Sequence, residues 1–289
     1  MHTAHATGGR PAVLPSETMG FPRSIAPLAT LVVALLAPLP AHASGTTPLR
    51  VCTDNNDWLP YLYLDDETGQ PVGVHRDLLV RAVAPLGYHV EMTALPWRRC
   101  QEAAAAGRFD AVASASYSEE RAQRFYYPPG AEDPGPNPYG MGLVSYVLVS
   151  YVDDDFEFDG RWETIPSPAR VPRGYSMAQE LRAAGVDVDE GPGDRENFLK
   201  LVRDRRGVVV STRPSAEAYA TTGPTAGLLR VHESPALRTK AYFLVFPAGG
   251  PIGADVRRAI WDAIAEVRQD EAYLARLGEA HGSVGAGAH

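Results

Sequence analysis

Short strand and helix patterns alternate along the first part of the chain, and this alternation limits the possible folds more than any other feature. Apolar strand-like runs occupy residues 49–53, 88–92 and 110–114. Between them, residues 78–86 and 98–106 carry apolar side chains at helical spacing. Strands that are joined by crossover helices pair in parallel. The pattern predicts an α/β fold with a mostly parallel sheet flanked by helices.

The same alternation returns after a proline-rich break. Residues 128–138 contain five prolines, too many for a helix or a central strand. Beyond the break, residues 144–149 and 207–210 read as buried strands. A further strand at 242–246 leads into a long amphipathic helix at 256–267. We expect a second α/β unit after the break, and we expect the last helix to cover the sheet of the first unit.

Composition narrows the possible partners. The chain has 289 residues, of which 45% are hydrophobic and 21% charged, as in a folded protein with room for two domains. A formal net charge of −8 argues against nucleic acid and anionic lipid as partners. Two cysteines and eight scattered histidines do not form the paired spacings of a zinc site. We predict no metal and no cofactor.

The N-terminal segment has the pattern of a secretory signal peptide. Arg23 precedes a proline-interrupted apolar run at 24–40, and the small-residue site Ala41-His42-Ala43 follows. The run is too short for a membrane anchor, which needs about 20 apolar residues. We predict cleavage after Ala43, which leaves a mature chain in the periplasm, and a frayed polar tail at 283–289.

The two cysteines fall in neighbouring predicted elements. Cys52 lies on the first strand and Cys100 on the second helix. In an oxidising compartment this pair predicts a disulfide, and the alternative is two reduced, buried cysteines.

Polar residues gather where the strand at 110–114 ends. Ser114 and Ser116 are followed by Ser118, a candidate helix N-cap, and by Arg121 one turn later. Hydroxyls, free backbone N–H groups and a guanidinium that converge in this way suit a carboxylate ligand. Spacing alone favours an ordinary N-cap with a solvated arginine.

A series of motifs along the mature chain resembles the family 3 periplasmic solute-binding proteins, the polar amino acid receptors of ABC transporters. The motifs that carry this resemblance are Leu49–Asp54, Trp58–Tyr61, Gly69–Leu79, Leu95–Trp97, Gly107–Ala111 and Ser118–Arg121.

The resemblance implies a type II two-lobe fold that closes on a ligand, with both termini in lobe 1. It also implies a monomer that serves a membrane permease. The expected boundaries are a signal peptide at 1–43, lobe 1 at 44–139 and 243–289, lobe 2 at 144–236, and hinges at 140–143 and 237–242.

The resemblance also implies roles for individual residues. Trp58 and Trp97 match the aromatic pair that sandwiches the ligand, although Trp97 equally suits a core anchor. The positions expected to hold the ligand carboxylate are Ser114, Ser116 and Arg121 in lobe 1 and Gly174, Tyr175 and Ser176 in lobe 2.

Two departures from the family pattern affect the expected ligand. The acid that pairs with a ligand ammonium is replaced by Thr212 or Arg213, so a ligand with a second acidic group or an uncharged polar end is expected to meet Arg213. His75 stands where the family usually carries an acid. It is either a solvated residue at a helix start or a cleft-edge group that makes binding depend on pH.

These features favour a non-catalytic binding protein that captures a small carboxylate-bearing ligand for an ABC-type permease. One alternative is an accessory or sensory protein on the same fold that docks a dehydrogenase or receptor. The other is a periplasmic dehydratase-like enzyme, for which His75 and Glu119 are the candidate acid and base groups.

Overall fold

The computed structural model of the protein describes residues 45–282. The predicted signal peptide and the predicted frayed tail at 283–289 lie outside the described residues. Within the described part, no helix has both the length and the apolar character needed to cross a bilayer.

Strands and helices alternate through this part of the chain. The strands are β1 (Thr47–Asp54), β2 (Tyr63–Leu64), β3 (Pro71–Val72), β4 (Tyr88–Leu95), β5 (Ala111–Ser116), β6 (Phe125–Tyr126), β7 (Gly142–Tyr151), β8 (Ala169–Pro172), β9 (Val188–Gly191), β10 (Val208–Thr212), β11 (Leu229–His232) and β12 (Arg238–Pro247). The helices are α1 (Val74–Val83), α2 (Trp97–Ala105), α3 (Glu119–Ala122), α4 (Ser176–Ala183), α5 (Asp194–Asp204), α6 (Arg213–Thr221), α7 (Ala254–Val267) and α8 (Glu271–Ala280).

The main sheet has two parallel parts. Its strand order is β4-β1-β5-β12-β7-β10-β8-β9, with β6 beside β12 and β11 beside β7. In one part, which we call the first half, β1 pairs in parallel with β4 and β5. In the other, the second half, β8 pairs in parallel with β9 and β10. The predicted α/β class is confirmed.

Two long strands, β7 and β12, connect the halves and run antiparallel to their neighbours. Residues 142–146 of β7 pair with 238–242 of β12, and β7 then pairs with β10 and β11. From residue 242 onward, β12 pairs with β5 of the first half. The antiparallel pairing arises because the chain passes between the halves along these strands. The predicted hinge segments fall at or near the starts of the two strands, and the lobe boundaries remain a prediction.

Helices cover β1 on both faces. Leu49 and Val51 are fully buried in a cluster that includes Ile260 and Ile264 of α7, which therefore covers the first half as its pattern predicts. Cys52 points to the other face, where it forms a disulfide with Cys100 of α2, their Cα atoms 5.7 Å apart. The predicted disulfide is confirmed.

The fold brings several element ends together between the halves. The first half contributes the carboxyl ends of β1 and β5, which finish at Asp54 and Ser116. The second half contributes the first residues of α4 and α5, Ser176 and Asp194. Crevices at the carboxyl ends of parallel strands are the usual ligand sites of such sheets.

Candidate ligand-binding site

A small cavity lies between the two halves. Its volume is about 30 Å³, which is room for a group of only a few atoms. The lining residues come from both halves and from both connecting strands: Thr53, Asp54, Asn56, Trp58, Leu62, Trp97, Ala113, Ser114, Ser116, Arg121, Tyr146, Tyr175, Ser176 and Tyr242.

Arg121 is the principal charged group of the cavity wall. Ser118 caps α3 and accepts a hydrogen bond from the Arg121 backbone N–H at 3.3 Å, which fixes the start of this short helix. The Arg121 side chain then turns inward, and the residue is only 9% exposed. The predicted N-cap is present, and the alternative of a solvated arginine is wrong.

The hydrogen-bond acceptors around Arg121 are all neutral. Its guanidinium donates to the Ser116 carbonyl at 2.9 Å, to Ser116 Oγ at 3.0 Å, to the Gly174 carbonyl at 3.2 Å and to Gln101 Oε1 at 3.3 Å. The ring of Trp97 lies 5.3 Å from its Cζ. No carboxylate among residues 45–282 forms an ion pair with Arg121. A buried cation without a counter-ion is costly, so this position suits an anion.

Hydroxyl groups from both halves meet beside the guanidinium. Ser116 Oγ lies 3.2 Å from Ser176 Oγ, which joins β5 to the start of α4. Lys240 donates to Ser176 Oγ at 2.8 Å and also pairs with Glu180. Lys240 carries no sequence signal for this role, because it lies in the predicted hinge at 237–242 and outside every recognised motif.

Gly174 and Tyr175 position the second half against the first. Gly174 has a φ of 80°, and its N–H donates to Glu190 Oε2 at 2.9 Å while its carbonyl accepts from Arg121. The Tyr175 hydroxyl donates to Asp54 Oδ2 at 2.7 Å and accepts from Asn56 Nδ2 at 3.2 Å. The predicted loop at residues 174–176 therefore lies at the cavity.

Aromatic side chains form much of the cavity wall. Trp58 and Trp97 are 6% and 7% exposed, and both also belong to hydrophobic clusters. The ring of Trp58 lies 4.5 Å from that of Tyr242, whose hydroxyl is hydrogen-bonded to that of Tyr146. The Trp58 Nε1–H is buried without an acceptor among the described residues. Tyr146 and Tyr242 were missed because only the tertiary fold brings β7 and β12 to the cavity.

Two buried carboxyl groups lie near the cavity, one from each half. Burial raises the pKa of Asp54 to about 6, partly offset by the Tyr175 hydrogen bond. Burial likewise raises the pKa of Asp194 to about 7, although Ser211 donates to its Oδ2 at 2.6 Å. The charge of Asp54 adds to the upward shift at Asp194. Asp54 lines the cavity, and the sequence analysis did not single it out.

His75 contradicts the expectation of a solvated helix-start residue. Its side chain is completely buried, and its Nδ1 lies 2.8 Å from Ser114 Oγ. Burial is the main cause that lowers the pKa of His75 to about 3, and the charge of Arg268 adds to it. The ring is therefore neutral at physiological pH. The Gly-Val run before it gives no sequence signal for burial, which arises from packing against Trp58 and Tyr61.

Arg213 lies apart from the other predicted site residues. It begins α6, its side chain is 40% exposed, and it forms an ion pair with Glu233 at 3.1 Å. It does not line the cavity. The structure thus brings together every predicted ligand contact except Arg213. Gly174 does not line the cavity, but its carbonyl accepts a hydrogen bond from Arg121.

Comparisons with known proteins agree with this fold. The family model for bacterial extracellular solute-binding proteins, family 3, matches residues 49–132. The resemblance found in the sequence is confirmed, and the motifs that carry it fall in the matched segment. No curated protein matches the chain at the sequence level.

Solved structures of several kinds share the fold. A mutant of ArgBP from T. maritima is 21% identical, with a TM-score of 0.65 over 82% of this chain and 95% of that chain. The ancestral amino acid-binding protein AncCDT-1, a precursor of cyclohexadienyl dehydratase, is 20% identical, with a TM-score of 0.62 over 81% and 95%. A histidine kinase sensor domain is 18% identical, with a TM-score of 0.66 over 82% and 96%. The fold is that of the two-lobe periplasmic binding proteins.

Proposed function

We propose that this protein captures a small carboxylate-bearing ligand between its two halves and presents it to an ABC-type permease. The observation that carries the proposal is the buried Arg121, whose guanidinium lines the cavity and contacts only neutral acceptors. A ligand carboxylate supplies the missing counter-ion and accepts the two parallel hydrogen bonds that a guanidinium offers.

The ligand binds in two steps. The first half offers most of the ligand contacts, namely Arg121, the two serines of β5 and the rings of Trp58 and Trp97. The second half then adds Ser176 and the loop before it. Contacts such as those between Ser116 and Ser176 form only when the halves meet, so a ligand that touches both halves favours the closed arrangement.

The proposed location is the periplasm, and the proposed form is a monomer. The signal-peptide pattern, the family 3 resemblance and the Cys52–Cys100 disulfide support an oxidising, extracytoplasmic compartment. The support for an ABC-type permease as partner is the family resemblance.

An accessory or sensory role is the second candidate. The observation that favours it is the small volume of the cavity, whose wall includes five aromatic side chains of the protein. The fold shared with a histidine kinase sensor domain is compatible with it. The dehydratase alternative has no such support: of its two candidate acid-base groups, His75 is buried with a pKa lowered to about 3, and Glu119 is exposed at the start of α3 and does not line the cavity.

A thermal-shift screen of the purified protein tests the first candidate. The panel contains amino acids, dicarboxylates, aromatic acids and sugars, each applied to the parent, to Arg121→Ala and to the control Arg124→Ala. Arg124 is an exposed arginine of the same segment. A ligand at a hundredfold its Kd adds about 2.7 kcal/mol to stability, which raises Tm by roughly 5–10 °C in a protein of this size.

We expect at least one carboxylate to raise the Tm of the parent and of Arg124→Ala, but not of Arg121→Ala. Stabilisation by a sugar alone contradicts a carboxylate ligand. A flat response to the whole panel contradicts ligand capture and favours the accessory role.

A further inference from the structure

Ser114 occupies an unusual backbone position in the cavity wall. It lies in β5 with a φ of 60°, one of two described residues other than glycine with a positive φ. Non-glycine residues held in this region cluster at functional sites. Its Oγ has one hydrogen-bond partner among the described residues, the Nδ1 of His75 at 2.8 Å.

Among the described residues, Ser114 is the only hydrogen-bond partner of the His75 ring. The ring packs against Trp58 and Tyr61, with centroids 5.6 and 5.1 Å away. Its Nε2 is buried without a hydrogen-bond partner among the described residues. Nε2 faces the backbone of Gly142, where a Cβ would lie only 2.7 Å from it.

This environment selects one of the two neutral tautomers. With the proton on Nε2, the ring would bury an N–H donor that has no acceptor. With the proton on Nδ1, the single ring N–H donates to Ser114 Oγ, and Nε2 is left as an acceptor without a donor. Orphaned buried N–H groups are rarer in proteins than under-used acceptors, so the Nδ1–H form is favoured and Nδ1 donates to Ser114 Oγ.

We propose that His75 is a positioning residue that donates to Ser114 Oγ and thereby leaves the Ser114 hydroxyl proton free to bind the ligand carboxylate beside Arg121. This inference rests on the proposed function and refines it, because it names the residue that orients the Ser114 hydroxyl. A hydroxyl has a single proton. An acidic residue at position 75 would accept that proton and leave only lone pairs of Ser114 facing the cavity.

NMR of protein labelled with ¹⁵N-histidine tests the tautomer without any ligand. The two ring nitrogens of a neutral histidine have well separated ¹⁵N shifts, and the signals of His75 are assigned by their loss in His75→Asn. We expect a protonated Nδ1 and an unprotonated Nε2. A protonated Nε2 overturns the proposal.

Two nearly isosteric substitutions test the effect on binding. Asparagine can place an N–H donor close to the position of Nδ1, whereas aspartate can only accept a hydrogen bond there. With acetate as the probe, followed by NMR titration, we expect His75→Asn to bind within about threefold of the parent. We expect His75→Asp to bind at least about tenfold more weakly. Equal losses in both variants indicate a merely structural role and overturn the proposal.

The same pair of substitutions in a Ser114→Ala background separates the hydroxyl effect from simple charge repulsion. If Ser114 transmits the effect, the difference between asparagine and aspartate at position 75 shrinks in this background. An undiminished difference means that the aspartate acts by its charge alone and overturns the proposal.

The failures of the two proposals can be told apart. If no carboxylate in the thermal-shift panel binds through Arg121, the proposed function fails. If carboxylates bind through Arg121 while acetate does not, or while the two His75 variants behave alike, only this inference fails. Urea unfolding of each variant confirms that it is folded before binding is measured.

Discussion

Arg121 and His75 are both buried, but their side chains have different hydrogen-bonding surroundings. Four neutral hydrogen-bond acceptors and the Trp97 ring surround the Arg121 guanidinium. The His75 ring has one hydrogen-bond partner among the described residues and packs against two aromatic rings, and burial lowers its pKa to about 3. The family resemblance predicts the first residue at the site, although spacing alone favours a solvated arginine. The sequence could not foresee the second, because burial of a histidine near a helix start depends on what packs over it.

Gly174 offers a test at the residue scale. Its φ of 80° nearly equals the 78° of Gly87, but only Gly174 lies at the cavity. Alanine at either position strains the backbone by about 1 kcal/mol. We expect both substitutions to lower the free energy of unfolding, as measured in urea, and Gly174→Ala to lower it more. An added Cβ at position 174 would lie 2.7 Å from Cγ of Arg98, so the Arg98 side chain must shift, whereas an added Cβ at position 87 meets open space.

Ligand binding should separate these two variants. Gly174→Ala is expected to weaken binding of any carboxylate found in the screen, because the shifted loop carries a carbonyl that orients Arg121. Gly87→Ala should bind like the parent. Unchanged binding in Gly174→Ala would remove this loop from the proposed site.

At the scale of elements, the disulfide ties β1 to α2, the two elements that lead into the first-half wall of the cavity. Both sulfurs are fully buried, and the bridge closes a loop with a sequence separation of 48. Constraining the unfolded chain in this way contributes about 4 kcal/mol on the chain-entropy model.

We expect the double substitution Cys52→Ala with Cys100→Ala to lower the free energy of unfolding by about 4 kcal/mol, measured in urea. Thiol titration of the unfolded parent is the companion measurement. Two free thiols in the parent, together with a loss below about 1 kcal/mol in the variant, would show that the bridge does not contribute.

At the scale of the whole molecule, polar contacts beside the cavity hold the halves together. Asn56 of the first half accepts from the Asp194 N–H at 2.9 Å, and Asp54 accepts from Tyr175. The charged groups that act on Asp194 are all acidic, and each raises its pKa. They are Asp54, Asp57 and Glu196. The closed arrangement therefore holds protons on these carboxyl groups more tightly than the unfolded chain does.

Stability is expected to fall as pH rises through the window set by these two groups. Their pKa values rise from 3.8 to about 6 and about 7, so between about pH 4 and pH 7 the folded state binds more protons than the unfolded state. Above that window both carboxyl groups are ionised, and the full cost of burying their charges lowers the free energy of unfolding. We expect the ionisation of Asp194 to lower the free energy of unfolding by roughly 2 kcal/mol as the pH rises from 5 to 8.

Urea unfolding at the two pH values checks this expectation. Asp194→Asn should lose that part of the pH dependence, whereas the exposed control Asp153→Asn should retain it. The same slope in Asp194→Asn and in the parent would mean that Asp194 is not the group responsible.

The sequence by itself determined the α/β class, most element positions and the cysteine pair, since periodicity and capping act within a few residues along the chain. The family resemblance of its motifs also pointed to Arg121, Ser114 and Ser116 as ligand contacts. Only the tertiary structure decided that Asp54, Lys240 and the tyrosines of β7 and β12 meet at the cavity, that His75 is buried, and that Arg213 pairs with Glu233. These outcomes depend on which distant elements pack together and exclude water, and no short-range pattern encodes that.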